Sequence, residues 1–186
     1  MTNTIETMSN LMKDAAIEIG ERFDAPDDDW IPVMSLAPQE GENVMLAFDG
    51  RWLDTDESKD RLVDRIMVPA VNGVGAKTVA TVFSAWQSLA AAGTTEDEFV
   101  RPSEAENRQE IVLLTVMDSF NVRTWTAEIT RTDDSPPVLS DWVEMDKGTL
   151  GGRFVGAIQE ALRDSSGKTD PKFMKLLMEQ GTEIVE

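Results

Sequence analysis

The side chains available for chemistry in this chain are carboxylates, hydroxyls, amines and guanidiniums, because it contains no His, Cys or Tyr. The commonest general base, the imidazole and thiolate metal ligands and every disulfide are thereby removed. Asp27, Asp28 and Asp29 form the densest acidic run, and oxygen ligands suit hard cations. Adjacent carboxylates point apart, so the run is expected to be a solvated loop that could meet a basic partner. Asp54-Thr55-Asp56-Glu57-Ser58-Lys59-Asp60 begins like a calcium loop. It has Lys59 where the glycine belongs and Arg65 where the bidentate Glu belongs. Helix capping by Asp56 accounts for it better. Asn72-Gly73-Val74-Gly75-Ala76-Lys77-Thr78 approaches a phosphate loop, but Ala76 and Val71 occupy its two required glycine positions. Ser84 and Ser103 have no imidazole to activate them, and neither begins an S-x-x-K. Two-carboxylate sugar chemistry needs only Asp and Glu, but the chain is poor in the groups that line a sugar cleft. No cofactor or metal ligand set is therefore expected.

A second set of candidates lies in the polar stretch before the strongest β signal. Arg101, Ser103, Glu104, Arg108 and Glu110 place mixed charge at the mouth of a central strand. With Asp27, Asp28 and Asp29 they are the expected binding residues. The structural alternative is an Arg108–Glu104 or Arg131–Glu110 ion pair that pins the loop. The pattern P-S-E-x-x-x-R-x-E at 102–110, between Ser84-Ala85-Trp86 and Ala127-x-Ile129-x-Arg131, resembles a family of small uncharacterised bacterial and phage proteins. The likeness spans about residues 80–131. It implies a β-rich core and a phage-related accessory role, and no mechanism.

Composition narrows the kind of partner. The chain has 186 residues, 41% of them apolar, with five Trp and seven Phe to fill a core. It carries 35 acidic and 17 basic residues, a formal net charge of -18. The first 60 residues hold 15 of the carboxylates against 4 basic groups, a net of -11. Nucleic-acid phosphates and anionic membranes need a cationic surface, so neither is an expected partner. No run reaches the ~20 apolar residues of a membrane helix, and the first twenty residues lack the pattern of a secretory signal. A cytoplasmic protein is expected, in keeping with the absence of Cys.

Hydrophobic periodicity supplies the elements that must position these residues. Helices are expected over 4–23, 54–68, 152–162 and 171–180, the second stopped or kinked by Pro69. Strands are expected over 30–36, 43–48, 77–87, 110–117 and 122–131, with an edge strand over 138–145. Val71 to Gly75 is expected to be a turn and 93–107 a long loop. Val79, Phe83, Ile111, Leu113, Trp125, Ile129 and Phe154 are expected in one core. The order predicts an α+β fold, a single antiparallel sheet of about five strands with helices packed mainly on one face. Residues 1–164 form the expected domain, and 165–186 a linker and short helix. The expected function is that of a non-enzymatic acidic accessory protein that binds another protein, and the charge points to a basic one; a homodimer is also compatible. The alternative is a carboxylate-based metal-dependent hydrolase.

Overall fold

A computed structural model describes residues 4–88, 104–146 and 153–179. The first helix, α1 (Thr4–Gly20), follows from Ile5, Met8, Met12 and Ala16, which recur at helical spacing and are all buried. Trp30 fastens its far end by donating its indole N–H to the Ala16 carbonyl at 2.8 Å. Phe23 meets the Trp30 ring edge-on, with centroids 4.7 Å apart.

The two strands expected first, β1 (Val33–Pro38) and β2 (Val44–Ala47), pair antiparallel as a hairpin. A short 3₁₀ turn over Gly50–Leu53 leads to α2 (Asp56–Leu62). Its cap is Thr55 rather than the expected Asp56: Thr55 and Ser58 satisfy each other's backbone N–H groups in a capping box. Pro69 does not stop this helix. The chain widens into a π turn over Val63–Met67, where the Val68 N–H reaches the Val63 carbonyl, and continues as α3 (Val68–Val74). Proline donates no N–H and crowds the carbonyl four residues back. The wider turn accommodates both. The expected turn at 71–75 is thus helical through Val74, and Gly75 ends it at φ 69°.

Strand β3 (Ala76–Gln87) pairs with β1 and with β4 (Gln109–Asp118), and β4 pairs with β5 (Val122–Thr132). The outer side of β5 is lined by β6 (Ser135–Leu139) and β7 (Val143–Glu144). Helices α4 (Arg153–Asp164) and α5 (Pro171–Glu179) complete the order. The sheet is antiparallel throughout, in the order β2-β1-β3-β4-β5-β6 with β7 beside β5. The α+β class therefore holds, with seven strands rather than about five. The two extra strands come from 135–145, where the expected edge strand begins earlier, at Ser135, and pairs with β5 in two short pieces.

Strand alternation sends side chains to both faces of the sheet, and both are buried. Met34, Leu36, Val79, Phe83 and Met117 meet α2, the π turn, α3 and α4. Val33, Ala80, Val82, Val112, Leu114, Val116 and Trp125 meet α1. There are two cores, not one. Trp125 and Ile129 belong to the α1 side, while Val79 and Phe83, with the half-buried Phe154, belong to the other. Ile111 is buried, and Leu113 is only half-buried.

Candidate protein-binding surface

Three of the eight candidate residues, Asp28, Asp29 and Glu110, meet at one cation, Arg131 near the end of β5. Its Nε and Nη2 hold both oxygens of Glu110 at 2.8 and 2.9 Å. Nη2 also meets Asp29 Oδ1 at 3.1 Å. Nη1 donates to the Asp28 and Pro26 carbonyls at 2.7 and 3.3 Å. The planar fork of arginine suits such bidentate work. These bonds raise the Arg131 pKa, chiefly through Glu110. Asp29 also accepts from the Ser84 hydroxyl at 3.1 Å and from the Trp30 N–H at 2.8 Å. Three distant segments are thereby joined: the 24–30 loop, the start of β4 and the end of β5.

The expected candidates divide into three groups. Asp28, Asp29 and Glu110 are brought together. The Asp28 carboxylate accepts the N–H groups of Ala25 and Asp24, which hold its pKa below the ordinary value. These two Asp residues therefore brace their loop, contrary to the expectation of a freely solvated run, because the chain turns back on itself at Pro26. Glu104 is exposed and takes no part in the Arg131 cluster, while Arg108 stacks its guanidinium 4.7 Å from the Trp86 ring. Arg101 and Ser103 lie outside the described residues. Asp27 is exposed and outside the Arg131 cluster.

A second polar cluster, which sequence reasoning missed, lies on the α1 side. The Trp125 ring has Lys13 Nζ 4.4 Å from its centre on α1 and the Arg123 guanidinium 4.9 Å away on its own strand. Arg123 forms two 2.7 Å bonds to Glu144. Burial lowers the Lys13 pKa, opposed by Glu144. The alternation of Arg123 and Trp125 on β5 hints at such a stack, but nothing in the local pattern brings Lys13 to it.

The first sixty residues do not make one acidic face. Helix α1 and the loop after it cover one side of the sheet, while α2 covers the other. The α1 side carries Glu6, Asp14, Glu18, Glu21, Asp24, Asp27, Asp28 and Asp29 against Lys13 and Arg22. Between Asp49 and Arg65, six carboxylates stand against four basic residues. The acidic excess is thus concentrated on α1 and its loop. Among the described residues, Asp14, Glu21 and Asp27 are exposed and outside any ion pair.

No family model matches the chain, and no curated protein or solved structure matches it either. Geometry and charge are the ground for a functional reading. No helix among the described residues is long and apolar enough to cross a membrane.

Proposed function

We propose that this is a non-enzymatic binding protein whose α1 side docks a basic surface of a partner protein. The supporting observation is the placement of eight carboxylates against two cations on α1 and the 24–29 loop. Most are exposed, so their field extends over about one Debye length and steers an approaching cationic surface. The likeness of residues 80–131 to small bacterial and phage proteins belongs to the same proposal, as an accessory role.

The hydrolase alternative needs carboxylates from separate segments to converge on a cation. Asp29 and Glu110 do converge, but upon Arg131. Among the described residues no three Asp or Glu side chains stand close enough to share an ion.

The test replaces carboxylates that serve the partner rather than the fold. Asp14→Asn, Glu21→Gln and Asp27→Asn together should leave the melting temperature nearly unchanged, since exposed substitutions shift stability by within ~0.5 kcal/mol. Association with a basic protein captured from the producing cells should slow in this variant, and wild-type association should slow as salt rises. An unchanged rate in the variant, with no salt dependence in the wild type, returns the charge to a solubilising role. Asp28 and Asp29 are left alone because they hold the loop.

A further inference from the structure

The sheet has two outer edges, one made by β2 and the other by β6 and the two-residue β7, and they are not alike. Strand β6 carries Pro136 and Pro137, residues that blunt an edge because they cannot donate to a new strand. Strand β2, Val44–Ala47, carries no proline. The Phe48 N–H donates to the Pro32 carbonyl at 2.8 Å, and the register pairs Met34 with Leu46 and Leu36 with Val44. Backbone direction alternates along a strand. Val44, Leu46 and Phe48 therefore face β1, and the N–H and C=O groups of Met45 and Ala47 face outward. Among the described residues no hydrogen bond reaches those four groups.

Beside this edge lies an apolar crevice between α1 and the sheet. Its lining includes Ala15, Ile19, Trp30, Ile31 and Met45, and its volume is about 20 Å³, room for little more than one methyl-sized group. Ile31 is 58% exposed at its mouth, and Leu11, one helical turn before Ala15, is 47% exposed. Carboxylates stand on the neighbouring elements. Glu18 shares the helix face of Leu11 and Ala15, and Glu40 and Glu42 stand in the turn that leads into β2.

We propose that β2 is a strand-docking edge that takes an extended segment of a partner protein in which Lys or Arg alternates with aliphatic residues. Main-chain bonds to Met45 and Ala47 hold the segment, the tip of one aliphatic side chain enters the crevice, and the cations, which alternate to the other face, meet Glu40 and Glu42. The net charge of -18 decides against a second copy of this chain, which would bring two strongly acidic surfaces together. This inference rests on the basic-partner reading and adds to it the place and conformation of the ligand.

The experiment uses the whole protein and a fluorescent peptide of alternating Lys and Val. A second peptide is N-methylated on alternate residues, so that one edge of its backbone cannot pair. The unmodified peptide should bind, and the methylated one should bind about tenfold more weakly or worse. Ala47→Pro removes an outward N–H at a position where an edge strand tolerates proline. It should weaken the unmodified peptide by a similar factor and leave the melting temperature and the far-UV spectrum in place. Equal binding of the two peptides to wild type overturns strand docking, whatever Ala47→Pro does to the fold. That result leaves the acidic reading standing if the Asp14/Glu21/Asp27 variant still slows association. Absence of peptide binding also overturns it. A wild-type dimer in sedimentation that Ala47→Pro dissolves assigns the edge to a second copy and overturns the basic ligand.

Discussion

Arg131 has five N–H groups, and each has an acceptor among Glu110, Asp29, Asp28 and Pro26. The cluster is partly exposed, so solvent weakens each contact. Arg131→Met nevertheless leaves Glu110 beside Asp29 with no cation, and should cost about 1–3 kcal/mol in urea unfolding. Arg131→Lys keeps the charge but loses the fork, and should recover less than half of that loss. Trp125 is 4% exposed, and Trp125→Ala should cost about 3–5 kcal/mol in the same measurement. Acid provides a third check. Arg51 and its N–H lower the Asp49 pKa to about 2. A lowered folded pKa means stabilisation that is complete above the unfolded value of 3.8 and is lost as pH falls toward about 2. The Arg51 amide, bound to Asp49 at 3.0 Å, should shift in that window, and Asp49→Asn should abolish the shift. The Arg131–Glu110 pair was legible in the sequence because opposite charges stand at the outer ends of two consecutive expected strands, 110–117 and 122–131. Asp29 was not, since it reaches Arg131 across about a hundred residues with no local pattern to mark it.

At the scale of elements, the α3–β3 turn shows how closely the last described segment is fastened to the sheet. Lys77 donates to the Ser165 carbonyl at 2.6 Å, Thr169 to the Val74 carbonyl at 3.0 Å, and the Asp170 N–H to the Gly73 carbonyl at 2.7 Å. A methyl group on Gly75 would lie 2.4 Å from the Lys168 backbone, at a φ of 69° that disfavours any L side chain. Gly75→Ala should therefore destabilise by about 2–4 kcal/mol, read as a lowered melting temperature. The strands from 77 to 131 could be read from the sequence because β-branched and aromatic residues cluster there between polar breaks. The continuation through Pro69 could not, because the rule that proline ends a helix assumes a regular turn, and a π turn escapes it. Nor did periodicity show that 4–20 and 56–74 cover opposite faces. It tells which stripe of a helix is apolar, but not which side of a sheet receives it.

The whole molecule bears a net charge of -18 on a modest core. Mutual repulsion of exposed carboxylates opposes the compact state and is screened by salt. Raising sodium chloride from about 0.01 M to about 0.5 M should thus raise the melting temperature by a few degrees. The Asp14/Glu21/Asp27 variant should gain less from salt, since fewer repulsions are left to screen. The acidic balance was plain in the sequence. Its concentration on α1 and the following loop became visible only when α2 was placed across the sheet.

The two-sided sheet also sets an order in which the chain can be completed as it is synthesised. The layer under α1 takes its residues from the first 142 positions, ending with Leu139 and Trp142. The opposite layer waits for Ile158, Ala161 and Leu162, and then for Phe173 against Gly73. Domains generally form from the N-terminus as the chain emerges. A nascent chain that has reached Trp142 can close one side while Leu36, Val79 and Phe83 still face water on the other. That half-finished sheet is the species on which a chaperone would act, and a ribosome-bound chain ended at Trp142 and extended by a linker that spans the exit tunnel should display it: protease-resistant at α1, sensitive at α2 and α3.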